Sequence, residues 1–278
     1  MIKKLRLTVL MDDQPGGFGL LSEHGLSFFI EADDFCLLFD TGQSGLFLRN
    51  AESLRVDLHD TGVLVLSHGH YDHTGGLADL LSLNRSIQVY CNHAVLLSRY
   101  SRQPDRELKS IGIPKKSSEA LNCIFNSVHL VSRPTLLTPD IGITGFVQRH
   151  APFENTGGLF YLDQRGQNPD LINDDLSMWF KSEKGLVIVT GCCHSGLVNT
   201  VEYIMSISKE KRVFSIIGGL HLLNASGERL EETCRYLKHL SPDSLYACHC
   251  TGTGSTDFLR NYLPFKVENG RVGLSLEF

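Results

Sequence analysis

A run of four apolar residues, Val63-Leu64-Val65-Leu66, leads without a break into Ser67-His68-Gly69-His70-Tyr71-Asp72-His73-Thr74-Gly75-Gly76. So short and wholly apolar a segment reads as a strand buried on both faces. Side chains two positions apart on a strand share a face, so His68 and His70 point to one side and can converge on a single ion. Asp72 and His73 follow in a turn that aims them at a second ion beside the first. Gly69, Gly75 and Gly76 let the backbone wrap that tightly. The competing reading is a polar loop with surface histidines and an aspartate capping a helix. Three histidines and a carboxylate behind a buried strand would be costly to desolvate without a metal or a hydrogen-bond partner for each. The pattern therefore predicts a centre for two divalent metal ions.

The remaining chain supplies a layered scaffold for such a centre. With 278 residues, 42% of them hydrophobic, it has ample material for one large domain spanning 1–278. Leu5 to Leu10, Leu26 to Ile30 and Phe35 to Phe39 read as strands of an antiparallel sheet. Helical spacing follows over Gly45 to Leu54, then a helix at Leu77 to Leu83, a strand at Ile87 to Cys91 and a helix beginning near Ala94. Residues 98–122, polar, basic and broken by Pro104, Gly112 and Pro114, read as an insertion that could cover a site. Short strand-like pieces return over Val128 to Val147, and loops dominate from Arg149 to Pro169. Leu176 to Phe180 and Leu186 to Thr190 flank the hairpin turn Ser182-Glu183-Lys184-Gly185. Helix and strand then alternate through Val198 to Ser208, Val213 to Ile217, Glu228 to Leu240 and Ser244 to Ala247. Strand-rich halves with outer helices predict an α+β, four-layer αββα sandwich.

Composition narrows the function classes. A net charge of −5 gives no global reason to bind nucleic acid. The basic start of the chain meets Asp12 and Asp13 before any long apolar stretch develops, and no run approaches a membrane span. A cytoplasmic protein with no membrane partner is expected, its eight cysteines reduced. Cys36, Cys91, Cys123 and Cys234 read as core filler. Cys192, Cys193, Cys248 and Cys250 each flank a histidine of interest.

The HxHxDHTGGL pattern from His68 to Leu77, at the end of a buried strand, resembles the metallo-β-lactamase superfamily. The resemblance implies the αββα fold and a binuclear site completed by later strand ends. The superfamily's diiron redox branch has glutamate at the second histidine position. His70 stands there in this chain, which implies hydrolytic chemistry with Zn or Mn, Fe being a further candidate. His194, in Gly191-Cys192-Cys193-His194, and His249, in Cys248-His249-Cys250, resemble the strand-end ligands. His194 is assigned to the His68 and His70 metal, and His249 to the Asp72 and His73 metal. The superfamily usually places a bridging Asp after a Thr-Gly pair, where this chain has Cys192. That residue reads either as a ligand or as a packing residue, with the bridge in the second case left to hydroxide alone. His221 holds a third strand end, comparable to a proton-transferring histidine of the tRNA 3′-processing branch. It reads as a substrate-facing acid–base group, with a metal ligand and a core histidine as alternatives. Asp40 is expected to orient a ligand histidine. His24 lies either in a loop that reaches the cleft or on the plain surface.

Further motifs extend the resemblance to one branch: Glu23-His24-Gly25, Asp40-Thr41-Gly42, Ile143-Thr144-Gly145 with Arg149 and Phe153-Glu154, Asp174-Asp175, Gly191 to His194 with Asn199, Gly218 to Leu222, and His249 to Gly252. This is the family of 7,8-dihydropterin-6-methyl-4-(β-D-ribofuranosyl)aminobenzene-5′-phosphate synthases, also described as metal-dependent hydrolases. Cys192-Cys193, where Cys-Ser is expected, and the loose Gln148 to Pro152 segment depart from its pattern. The implied function is a binuclear hydrolase or synthase acting on a small phosphate-bearing or pterin-like metabolite, with Asp72 and His221 catalytic. A two-metal site brings the pKa of bound water toward neutrality, so a metal-activated hydroxide is the expected attacking group. Arg149, His24 and Thr251 are candidate contacts for an anionic substrate. Arg99, Arg102, Arg106, Lys109, Lys115 and Lys116 could supply further cations, although a charge run like this is usually only a solvated face. A phosphodiesterase or nuclease, and a metal-binding sensor whose catalysis has lapsed, are the alternatives.

Overall fold

The computed structural model of the chain describes residues 1–102 and 107–278. Two seven-stranded sheets lie at its centre. In the first, Leu5–Met11, Ser27–Ala32 and Phe35–Phe39 pair antiparallel. Val63–Val65, Gln88–Cys91 and Val128–Leu130 continue the sheet in parallel. The sequence predicts the antiparallel arm, and the parallel extension follows from the helices Leu46–Ser53 and Leu77–Leu83, which carry the chain back between strands. The last strand, Ser275–Glu277, closes the outer edge against Leu5–Met11.

The second sheet orders Lys266–Asn269, Ser244–Cys248, Val213–Gly219, Gly185–Thr190, Ser177–Ser182, Ile141–Ile143 and Thr135–Thr138. The hairpin at Ser182 to Gly185 forms as its turn residues predict. Helices Leu197–Ser208, Gly227–Leu240 and Thr253–Tyr262 complete the parallel crossovers. Ser226 starts the second of these by accepting the Arg229 amide at 3.2 Å.

Three apolar cores match the three interfaces of a four-layer sandwich. Phe28, Phe39 and Val65 of the first sheet meet Met178, Phe180 and Val189 of the second. Phe47, Leu77 and Leu80 cover the outer face of the first sheet, and Leu197, Val201, Leu237 and Leu259 that of the second. Each central strand is thus apolar on both faces, which is why Val63 to Leu66 carries no alternation. The αββα expectation holds.

Three local expectations are corrected. The helix beginning near Ala94 is a single 3-10 turn, His93–Leu96, capped by the Asn92 side chain. The 149–169 stretch contains a strand, Leu159–Tyr161, which pairs with Tyr100–Arg102 in a separate three-stranded sheet with Lys109–Ser110. Cys123 is exposed and not core filler, whereas Cys91 and Cys234 are buried. No helix among the described residues is long and apolar enough to cross a membrane.

Candidate metal centre

The site forms where strand ends of both sheets meet. After Leu66 the chain leaves the first sheet, and His70 begins a single helical turn, Tyr71–Thr74. Its carbonyl accepts the amides of His73 and Thr74, both at 3.1 Å. Asp40, with φ +61, ends the neighbouring strand segment and accepts the Ser67 amide at 2.7 Å. Its other oxygen lies 2.6 Å from His73 Nδ1. His73 Nε2 is left facing inward, 3.1 Å from the Cys192 sulfur.

From the second sheet, Cys192 and His194 follow Gly185–Thr190, and His249 follows Ser244–Cys248. His194 Nδ1 donates to the Thr156 carbonyl at 2.7 Å, so its Nε2 is the free nitrogen. That atom and His70 Nε2 are buried without a hydrogen-bond partner. His68 Nε2 and His70 Nδ1 lie 2.9 Å apart. His249 Nε2 lies 3.1 Å from Asp72 Oδ2, and its Nδ1 lies 2.6 Å from Asp13 Oδ1.

Two donor groups therefore stand side by side. Ligand atoms of His68, Cys192 and His194 lie within 4.8 Å of one another, as do those of His73, Cys192 and His249. The Cys192 sulfur belongs to both. Burial, reinforced by the neighbouring histidines, pushes the pKa of His68 and His194 well below the usual range; burial does the same at His70, so all three imidazoles are neutral with lone pairs available. Burial opposes ionisation of Asp72, but His73, His24 and His249 outweigh it and hold its carboxyl well below the usual range. Orphaned buried nitrogens, an ionised carboxylate and a shared sulfur are the donors that a borderline-soft divalent ion accepts. The residues fit such an ion.

The metallo-β-lactamase superfamily model matches residues 23–145. The chain is 30% identical to the 7,8-dihydropterin-6-methyl-4-(β-D-ribofuranosyl)-aminobenzene-5′-phosphate synthase of Methanocaldococcus jannaschii, over 100% of this chain and 98% of that protein. It belongs to the metallo-β-lactamase superfamily. Among solved structures, Tm1679, a metal-dependent hydrolase of the β-lactamase superfamily, is 31% identical with a TM-score of 0.83, covering 99% of each chain. Human tRNase Z, short form, at 11% identity and a TM-score of 0.52 over 98% of each chain, shares the fold. The chain is accordingly a metal-dependent, hydrolase-like enzyme of the metallo-β-lactamase superfamily.

Within this superfamily site, the other sequence candidates take varied places. His221, with φ +48, lies beside His194 with the rings tilted by 43° and their centres 4.3 Å apart, and its Nδ1 is buried without a partner. Its ligand atom also groups with the sulfurs of Cys192 and Cys250. His24 reaches the cleft, its Nε2 lying 3.2 Å from Asp72 Oδ2. Two expected substrate contacts are engaged within the protein. Thr251 is fully buried, and its hydroxyl accepts the Leu220 amide at 3.0 Å, fixing the turn before His221. The Arg149 guanidinium is tied to the carbonyls of Leu171 at 2.5 Å and His194 at 3.3 Å, so it braces the His194 segment.

The basic set disperses likewise. Arg99 is buried and paired at 2.6 Å with Asp174, whose other oxygen accepts the Gly69 amide at 2.9 Å. It props the metal motif and does not face a ligand. Lys115 pairs with Glu119 and Lys116 with Asp79, as a solvated face would. Arg102 sits over the Tyr161 ring and Lys109 over that of Tyr71. Arg106 lies outside the described residues.

Sequence reasoning missed four contributors: Asp12, whose carboxylate accepts the His249 amide at 3.0 Å; Asp13; the Thr156 carbonyl; and Phe160, packed on His70, His194 and His221. Only the doublet Asp12-Asp13 carried a signal, since two carboxylates directly after a buried strand need partners.

Proposed function

We propose that the chain is a two-metal enzyme that acts hydrolytically on a small, anionic, phosphate-bearing or pterin-like metabolite. The observation that carries the two-metal reading is the Cys192 sulfur, common to the His68 and His194 group and to the His73 and His249 group. In this reading His68, His70 and His194 would hold one ion and Asp72, His73 and His249 the other, with Cys192 available to both in place of the usual aspartate. Zinc suits the imidazole and thiolate donors best; manganese and iron accept the same imidazole and carboxylate set. Such ions supply Lewis acidity and a water whose pKa lies near neutrality.

The chain's own residues then divide the labour. Asp40 holds His73, and the Thr156 carbonyl holds His194, so that each presents Nε2. His221, beside the first group with an unpartnered Nδ1, is placed to hold a proton and give it to the leaving group. Phe160 packs beside His70, the ring centres 5.3 Å apart. Ile111 and Gly112 lie against the metal motif: the Ile111 carbonyl accepts the Tyr71 amide at 3.0 Å, and Gly112 pairs with His70. The substrate class is supported by the name of the M. jannaschii relative, a pterin and ribose-phosphate enzyme, to which the chain aligns from end to end.

Elemental analysis of chain purified without added metal tests the centre. About two ions per chain are expected, falling to about one in His194→Ala and in His249→Ala. An absence of bound metal, or full retention in either variant, overturns the assignment. A turnover screen of pterin and ribose-phosphate esters beside oligonucleotides separates this reading from the phosphodiesterase or nuclease alternative, while metal binding with no turnover would leave the lapsed sensor.

A further inference from the structure

Asp12 and Asp13 directly follow the first strand, Leu5–Met11, yet they act on the last strand end. Asp12 accepts the His249 amide, fixing that backbone. Asp13 takes the ring: its Oδ1 lies 2.6 Å from His249 Nδ1. Its second oxygen lies 2.9 Å from His24 Nδ1. One carboxylate thus grips two imidazoles, whose ring centres are 4.7 Å apart, by the same nitrogen of each.

The consequence is directional. With both Nδ1 atoms on Asp13, both Nε2 atoms turn the same way, to within 3.2 Å (His24) and 3.1 Å (His249) of a single oxygen, Asp72 Oδ2. His73 Nε2 stands 3.8 Å from that same oxygen. Three imidazole nitrogens therefore ring one carboxylate oxygen. A stray surface histidine would leave a ring nitrogen to solvent, whereas both nitrogens of His24 are held.

The backbone beside His24 is also fixed against the metal motif. Leu26 donates its amide to the Asp72 carbonyl at 3.2 Å, and Gly25, with φ +148, passes so close that a Cβ there would stand 2.4 Å from the same carbonyl. Residues 24–26 are thus seated on the metal motif. Half of the His24 side chain, 51%, stays exposed, which puts it at the mouth of the site.

We propose that His24 is a further protein ligand of the metal held by Asp72, His73 and His249, and that Asp13 is the positioning residue that presents His24 and His249 to it as a pair. The proposal rests on the two-metal reading above. A carboxylate on the distal nitrogen of a ligand histidine fixes its tautomer and raises its basicity, and removing such a partner lowers metal affinity by about 10- to 100-fold.

Cobalt(II) titration of the full, metal-stripped chain tests both, read by the ligand-field absorption spectrum and by equilibrium binding. Wild type is expected to take up two ions. His24→Ala and Asp13→Asn should each weaken only the second, by about 10- to 100-fold, and change its visible spectrum. His24→Gln, which keeps a polar side chain without the imidazole, should behave as His24→Ala, and circular dichroism confirms that each variant is folded. The double variant should lose less than the product of the two single losses, because both act through one pair. Wild-type affinity and spectrum in His24→Ala overturn the ligand assignment while leaving two metals in place. Fewer than two ions in wild type would instead bring down the two-metal reading and this proposal with it.

Discussion

The Cys192 sulfur is common to both proposed donor groups, one with His68 and His194 and one with His73 and His249. The thiol is buried, and burial, reinforced by the neighbouring Cys250, pushes its pKa well above the usual value, whereas a bound cation would favour the thiolate. Cys192→Ser should therefore release metal from both positions, leaving under one ion per chain, whereas Cys192→Asp, which restores the superfamily's usual carboxylate, should retain about two. Two ions in Cys192→Ser would reduce this residue to packing. Not every cysteine here is special. Burial raises the Cys91 thiol to about 12, while Cys123 is exposed. A thiol-specific reagent at pH 8 should label native protein at Cys123 within minutes and leave Cys91 untouched until the chain is unfolded, and peptide mapping reads out both. At this scale the ligand types were legible because imidazoles and carboxylates clustered at strand ends cannot be buried unpartnered. Their supports were not. Asp13 lies 236 positions from the histidine it holds, and Thr156 acts through a carbonyl that any residue would supply.

Elements carry these side chains into register, and two junctions are tight enough to test. Gly76 opens the helix Leu77–Leu83 directly behind the metal motif; a Cβ there would stand 2.4 Å from the Thr41 carbonyl oxygen and 2.5 Å from that of Ser44. Neither oxygen belongs to a side chain that can swing away. Gly76→Ala should cost at least the upper end of the overpacking range, about 3 kcal/mol, seen as a lower urea midpoint; an unchanged midpoint would show that the turn yields. At the other junction, Glu154 caps the helix Leu197–Ser208, its two oxygens accepting the Val198 and Asn199 amides at 2.8 and 3.0 Å. That helix begins three residues after His194. Glu154→Ala should lose about 1–2 kcal/mol of stability and also loosen metal at the His194 position. A stability loss with metal affinity intact would separate the cap from the site. Long periodic elements were readable because apolar runs and glycine or proline breaks are local signals. The 93–96 turn is too short to show a period, and Leu159–Tyr161 is a strand only because Tyr100–Arg102 lies beside it.

Across the whole molecule, the donors divide between the two sheets. His68, His70, Asp72 and His73 extend from the first, while Cys192, His194 and His249 extend from the second. The inter-sheet core of Phe28, Phe39, Met178 and Phe180 holds the layers together below, and the cluster of possible metal donors spans their upper edges. Ions bound there would staple one sheet to the other, and a ligand that binds only the folded chain adds its binding free energy to stability. At a free metal concentration one hundred times the dissociation constant, each site contributes about 2.7 kcal/mol. Two such sites raise the midpoint of a chain this long by on the order of 10 °C. Chelation should therefore lower the thermal midpoint by that amount, and in His194→Ala by about half as much, since one ion is already lost. The transition should stay single in calorimetry, because the shared inter-sheet core couples the layers whether or not metal is present. A midpoint indifferent to chelator would mean that the strand-end cluster binds no stabilising ion. Two resolved transitions on chelation would mean that metal, and not the core, joins the sheets.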